Sequence, residues 1–198
     1  MPSARPCKTR STTSVGGRTL ERPAQAERTP KPAAMLATAD AKTIASVQTA
    51  GMGQAVMGRH AESLVAVLGS CIGVAAYHPR SHVGVLAHVV LPDSNGRSGP
   101  PAKFADTAVP YLLELLKAEG VNSTGLTVKI AGGASMFASS GPMQVGAANI
   151  EAVGAALAKA GLHVAAQHVG GPKGRRVTLD CRTGELRVEI AGVISAIL

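Results

Sequence analysis

Between Ser63 and Leu91 the chain reads SLVAVLGSCIGVAAYHPRSHVGVLAHVVL, and its apolar runs are too short for anything but strands. Three runs rich in Val, Leu and Ala are broken at Gly-Ser-Cys and again at His-Pro-Arg-Ser-His. Apolar runs of this length bounded by turn residues read as β-strands. Ser63–Leu68, Ile72–Tyr77 and Val83–Leu91 are therefore expected strands, with Pro79 breaking the turn and Pro92 ending the third.

The remaining pattern completes a mixed architecture. Ala105–Lys117 has helical spacing, with Asp106 as the expected N-cap and Pro110 in or just past the first turn. Leu126–Ile130 is an expected buried strand leading into a glycine corner, AGGAS (Ala131–Ser135). Ala147–Ala160 is an expected helix stopped by Gly161. His163–Val169, Arg176–Cys181 and Leu186–Ile190 are expected strands, the last two joined as a hairpin through RTGE. The fold class is α/β: mixed, largely antiparallel sheets with flanking helices.

Composition decides what fills that frame. Hydrophobic residues make up 45% but aromatics only 2%, so the core must be built from Ala, Val, Leu and Ile. No apolar run reaches the ~18 residues a membrane span needs, so no membrane insertion is expected. Residues 1–45 are rich in Pro, Ser, Thr, Ala and Arg without any apolar period. They are expected to form a disordered basic tail, and residues 46–198 the folded domain. A targeting or nucleic-acid arm is the alternative reading of that tail.

The net charge is +8, of which residues 1–50 carry +5 and the rest +3. A weakly charged domain with so few rings to stack on bases argues against nucleic acid as a partner. Three cysteines (Cys7, Cys71 and Cys181) without a CxxC spacing exclude a disulfide framework or zinc ribbon. A reducing compartment fits, and the N-terminus lacks the apolar stretch of a secretory signal, so a cytoplasmic location is expected.

The Gly-Ser-Cys corner and a later histidine make the one constellation with chemical content. If His78–Ser81 is the loop of a hairpin, Cys71 falls directly opposite His88. A register shift of two makes the pair diagonal neighbours on the same face. Opposite residues have Cβ atoms ~4.5–5.5 Å apart and diagonal ones ~7–8 Å. Alternation puts Gly73 and Ala75 on the face of Cys71, leaving expected room for something to approach the sulfur. Ile72, Val74, Val85 and Val89 fall on the opposite, core face.

An imidazole beside a thiol can stabilise a thiolate nucleophile and later protonate a leaving group. The corner would supply backbone N–H groups for an oxyanion. On spacing alone, a small core hydrophobe is the commoner use for such a cysteine. His78 and His82 flank a turn and match no zinc spacing with Cys71. The glycine-rich GGPKGRR stretch lacks a following helix and is a poor phosphate site.

Six separated blocks resolve the choice: LGSCIGVAAYHP, GVLAHVVLPDS, KFADTAV, KIAGGASMF, VGAANIEAV and GGPKGRRV with the later TGEL. In this order, from Gln48 to Ile190, they resemble the chemoreceptor glutamine deamidase family, CheD. The resemblance implies a cytoplasmic cysteine hydrolase of bacterial or archaeal chemotaxis that converts receptor glutamines to glutamates. It implies catalytic residues Cys71, as nucleophile, and His88, as general acid/base, with no cofactor and no metal. Implied partners are methyl-accepting chemoreceptors as protein substrates, and in some members a CheC-type phosphatase.

Three positions depart from the family pattern. A threonine five or six residues before the cysteine is replaced by Ala66 or Val65. Ala148 stands where an arginine is common, and His168 where an acidic residue often precedes the Gly-Gly. If the missing threonine weakens catalysis, the alternative is an adaptor that binds chemoreceptors or the phosphatase.

Overall fold

The computed structural model describes residues 46–135 and 144–198. The tail expected over 1–45 lies outside the described residues. In chain order the elements are β1 Val47–Thr49, β2 Ala55–Arg59, β3 Ser63–Leu68, β4 Ile72–His78 and β5 Val83–Val89. Then follow α1 Ala105–Ala118, β6 Thr127–Gly132, α2 Val145–Lys159, β7 Val164–Val169, β8 Arg175–Asp180, β9 Leu186–Ile190 and β10 Val193–Ile197.

The strands form two five-stranded mixed sheets, ordered β1-β3-β8-β9-β10 and β2-β5-β4-β6-β7. Only β1–β3 and β6–β7 are parallel pairs, so the sheets are largely antiparallel, as expected. Three layers result. The sheets face each other across Leu64, Ala66, Leu68, Ala75, Leu86 and Val177. The outer face of the second sheet carries the two helices, packed over Ile72, Val74, Val85 and Val89.

This layering explains the sequence of β4 and β5. Both are buried along almost their whole length because one face meets helices and the other meets a sheet. Such strands read as continuous apolar runs, not as polar–apolar alternation. The room expected beside Cys71 is therefore filled. A Cβ added to Gly73 would meet Leu68 at 2.9 Å, with Leu86 and Val177 just beyond.

Two local expectations need correction. Asp106 does not cap α1; the N-cap is Phe104, without a side-chain hydrogen bond. Asp106 instead accepts from the Ser94 N–H and hydroxyl, tying the preceding loop to the helix. Pro110 lies inside the helix but on its exposed side, opposite the buried stripe Ala105, Ala108, Val109, Leu112 and Leu116.

The second correction is to the hairpin loop, which selects the shifted one of the two registers. The expected loop was His78–Ser81, whereas His78 pairs with Val83 and the loop is residues 79–82. His82 closes it in a left-handed conformation, φ 50°. Its Nδ1 lies 2.8 Å from the Arg182 carbonyl and 3.0 Å from the Tyr77 hydroxyl. Those anchors come from a distant loop and from the facing strand, and they set the turn.

Candidate active site

The register places Gly73 opposite His88, with Ile72 opposite Val89. Cys71 sits one step before β4, so it is the diagonal neighbour of His88 rather than its direct partner. This is the second of the two registers considered from sequence. The sulfur lies half-buried where the hairpin's pairing ends.

The backbone of the corner is tied down carbonyl by carbonyl. The Gly69 carbonyl accepts from Ala134 N–H and the Cys71 carbonyl from Gly133 N–H, each at 2.8 Å. Between them, the Ser70 carbonyl accepts from the Asn149 side-chain amide at 2.9 Å. The glycine corner seen in sequence is thus the strap that fixes the cysteine. Gly132 has φ 118°, and a Cβ there would fall 2.1 Å from the Cys71 carbonyl oxygen. Only glycine allows this approach.

His88 is held from the other side. Its N–H donates to the Gln54 carbonyl at 2.9 Å, and its carbonyl accepts from Gly53 N–H at 3.0 Å. Its ring is 4% exposed, and Nδ1 lies 3.0 Å from the Ala50 carbonyl. Because a carbonyl only accepts, Nδ1 carries the proton and Nε2 presents its lone pair. Nε2 has no hydrogen-bond partner among the described residues.

Ala50 also answers the threonine question. Its N–H donates to the Val65 carbonyl at 2.8 Å, so Ala50 links β3 to the imidazole. At Val65, one of the two positions where a threonine was expected, the link to His88 runs through main chain. Ala66 points into the layer between the sheets, fully buried.

Burial sets the protonation of the pair. It pushes the Cys71 thiol up, a shift only partly opposed by the cysteine's own backbone N–H. It pushes the His88 imidazole down, opposed by the Ala50 hydrogen bond. The resting pair is a neutral thiol and a neutral imidazole, not the thiolate that proximity alone suggested. A neutral imidazole with a free Nε2 lone pair is suited to accept the thiol proton as the sulfur attacks.

The other departures have structural readings. The Arg175 guanidinium, 3% exposed, donates to His168 Nδ1 at 2.8 Å and to the His168 carbonyl at 2.7 Å. It also caps the Gly170 carbonyl. The His168 ring thus supplies an acceptor to the guanidinium, which can only donate. Ala148 lies in the wall of a groove of about 690 Å³ between α1 and α2, with Asp93, Asp106 and Glu151. Neither Cys71 nor His88 lines that groove. Among the described residues no three His, Cys, Asp or Glu side chains converge as metal ligands would.

Sequence reasoning missed Ala50 and Asn149. A main-chain acceptor leaves no residue signature. Asn149 did leave one: it is the lone polar side chain on the buried stripe Gly146, Asn149, Val153 and Leu157 of α2.

A cysteine on a strapped backbone corner, diagonal to a buried imidazole whose Nε2 has no partner among the described residues, is the arrangement a cysteine hydrolase requires. The comparisons narrow the class. Residues 90–190 match the family model described as CheD chemotactic sensory transduction. The chain is similar to the chemoreceptor glutamine deamidase CheD of Thermotoga maritima, 47% identical over 125 residues, or 63% of this chain and 79% of that protein. It is 43% identical over 131 residues to a probable chemoreceptor glutamine deamidase CheD of Clostridium botulinum, strain Eklund 17B, covering 64% of this chain and 81% of that protein. A probable CheD of Methanococcus maripaludis strain S2 is 36% identical over 148 residues, 74% of this chain and 96% of that protein. The chain belongs to the CheD family. Cys71 and His88 precede the stretch matched by the family model, so the case for them as a pair rests on the geometry above.

Proposed function

We propose that the protein is a protein-glutamine deamidase acting on chemoreceptors, with Cys71 as nucleophile and His88 as general acid/base. The supporting observation is the buried His88 ring on the residue diagonal to Cys71, with Nδ1 fixed on the Ala50 carbonyl and Nε2 unpartnered among the described residues. His88 Nε2 takes the thiol proton as the Cys71 sulfur bonds to the glutamine amide carbon. The carbonyl oxygen becomes an oxyanion, held by backbone N–H groups that include that of Cys71. The imidazolium then gives its proton to the departing nitrogen. Ammonia leaves, and a thioester joins the glutamyl side chain to the cysteine. A water deprotonated by His88 adds to the thioester, and the sulfur departs to leave glutamate and a regenerated thiol.

The substrate in this reading is a glutamine in the helical cytoplasmic part of a methyl-accepting chemoreceptor, and the protein acts in the cytoplasm. No described helix is long and apolar enough to cross a membrane. A CheC-type phosphatase as a further partner follows from the family resemblance. Incubation with a receptor cytoplasmic fragment tests the proposal. Intact mass should rise by the difference between an acid and an amide at each site, with the wild type only and not with Cys71→Ala or His88→Ala. A receptor mass that stays constant with active-site residues intact would refute it.

A further inference from the structure

Asn149 is fully buried on α2, yet its side chain reaches two main-chain carbonyls at the cysteine corner. Its Nδ2 lies 2.9 Å from the Ser70 oxygen and 2.9 Å from the Val90 oxygen. Both partners only accept, so the amide must present its nitrogen, and each proton has its own carbonyl. Ser70 immediately precedes the nucleophile, and Val90 follows His88 by two. They are the positions where β4 and β5 stop pairing, and two carbonyls cannot bond each other there. A primary amide is a neutral group that can bridge them.

The bridge has a consequence for the oxyanion site. The Ser70 carbonyl and the Cys71 N–H belong to one planar trans peptide and point in opposite directions. Fixing the carbonyl on α2 therefore aims the N–H away from α2. Among the described residues no backbone or side-chain acceptor takes up the Cys71 N–H. It is left without a protein acceptor among those residues, next to the cysteine's own side chain. A hydrogen bond to the carbonyl also polarises the peptide and strengthens its N–H as a donor.

The remaining observation separates this role from plain stabilisation. Asn149 Oδ1 is buried and has no partner among the described residues. An orphaned buried acceptor is destabilising, and a stretch selected only for packing has no reason to keep it.

We propose that Asn149 is a positioning residue that aims the Cys71 N–H at the oxyanion of the tetrahedral intermediate. This inference rests on the deamidase reading of Cys71 and His88. The test compares wild type, Asn149→Ala and the nearly isosteric Asn149→Asp, which replaces both N–H donors with lone pairs. All are assayed well below their melting points and checked by circular dichroism; if the alanine variant does not fold, the aspartate variant carries the test.

Two readouts are taken from each: deamidation of a receptor fragment, and alkylation of Cys71 by iodoacetamide, whose transition state contains no oxyanion. The expected result is a fall in kcat of about tenfold to a hundredfold. KM and the alkylation rate should remain those of the wild type. A folded variant with wild-type kcat would overturn the inference. So would a loss confined to KM, or a parallel loss of alkylation, which would mean that Asn149 shapes access to the sulfur instead. Cys71→Ala is the separate control: if it still deamidates, the parent reading fails, whatever Asn149 does.

Discussion

Gly132→Ala should damage the site and the fold together, and the structure gives the size of both effects. Gly132 closes β6 against the cysteine corner at φ 118°, where an added Cβ meets the Cys71 carbonyl oxygen at 2.1 Å and its carbon at 3.1 Å. Both obstacles are backbone, so no side chain can swing away. Restoring an ordinary contact requires a displacement of roughly 1 Å, and a shift of that size at reacting groups can cost ~10²-fold in rate. It also weakens the Gly133 N–H bond to the Cys71 carbonyl. The left-handed backbone adds strain on the order of 1–3 kcal/mol for a residue with a Cβ. At about 2–4 °C per kcal/mol for a chain of this size, melting should drop by roughly 2–12 °C. Gly154→Ala is the matched control, because nothing lies within 4 Å of its added Cβ and it sits inside α2. That change should stabilise by about 0.5–1 kcal/mol and leave the rate alone. Deamidation rates and thermal unfolding curves for the two variants check the argument. A Gly132→Ala protein with wild-type rate and melting temperature would refute the account of the corner.

Burial lowers the His88 pKa, so the imidazole is already a free base below the ordinary histidine value. The acid limb of the kcat/KM profile should have its midpoint below pH 6.5; a midpoint above 6.5 would contradict this. The same burial raises the Cys71 thiol, so alkylation in the absence of substrate should accelerate only at strongly alkaline pH, and fast labelling at mildly acidic pH would indicate a preformed thiolate. Val65→Thr and Ala66→Thr should not raise the deamidation rate, since the Ala50 carbonyl already occupies His88 Nδ1. Ala66→Thr should in addition destabilise by about 1–3 kcal/mol, because its hydroxyl enters the apolar layer between the sheets. Cys181, with its thiol pushed up to about 12 in a fully buried position, should resist iodoacetamide until the protein is denatured, as peptide mapping would show.

How much of this was legible depends on where each constraint originates. The strands from Ser63 to Val89 and both helices were readable because apolar spacing and turn residues are local signals. The hairpin register was narrowed to two but not chosen, because His82 takes its left-handed turn against Tyr77 and Arg182. Three strands escaped: β1 spans three residues, β2 carries Met and Gly, and β10 follows Ala191 and Gly192 as an exposed edge. The pair Cys71 and His88 could be picked out, since sulfur and imidazole are chemically conspicuous. What organises them could not, because the partners are mostly main chain: the carbonyls of Ala50 and Gln54 and the N–H groups of Gly133 and Ala134. The protonation state also eluded spacing, since it follows from burial between two sheets.

The central claim is that Cys71 attacks a glutamine side chain with His88 as its base. A receptor fragment carrying a chloromethyl ketone in place of the target glutamine's amide tests it directly, because the warhead alkylates whichever nucleophile meets that side chain, with loss of chloride. Peptide mapping should find one adduct, on Cys71, formed slowly in His88→Ala and absent in Cys71→Ala, with Cys7 and Cys181 unmodified. An adduct on another residue, or one formed equally fast without His88, would contradict the account.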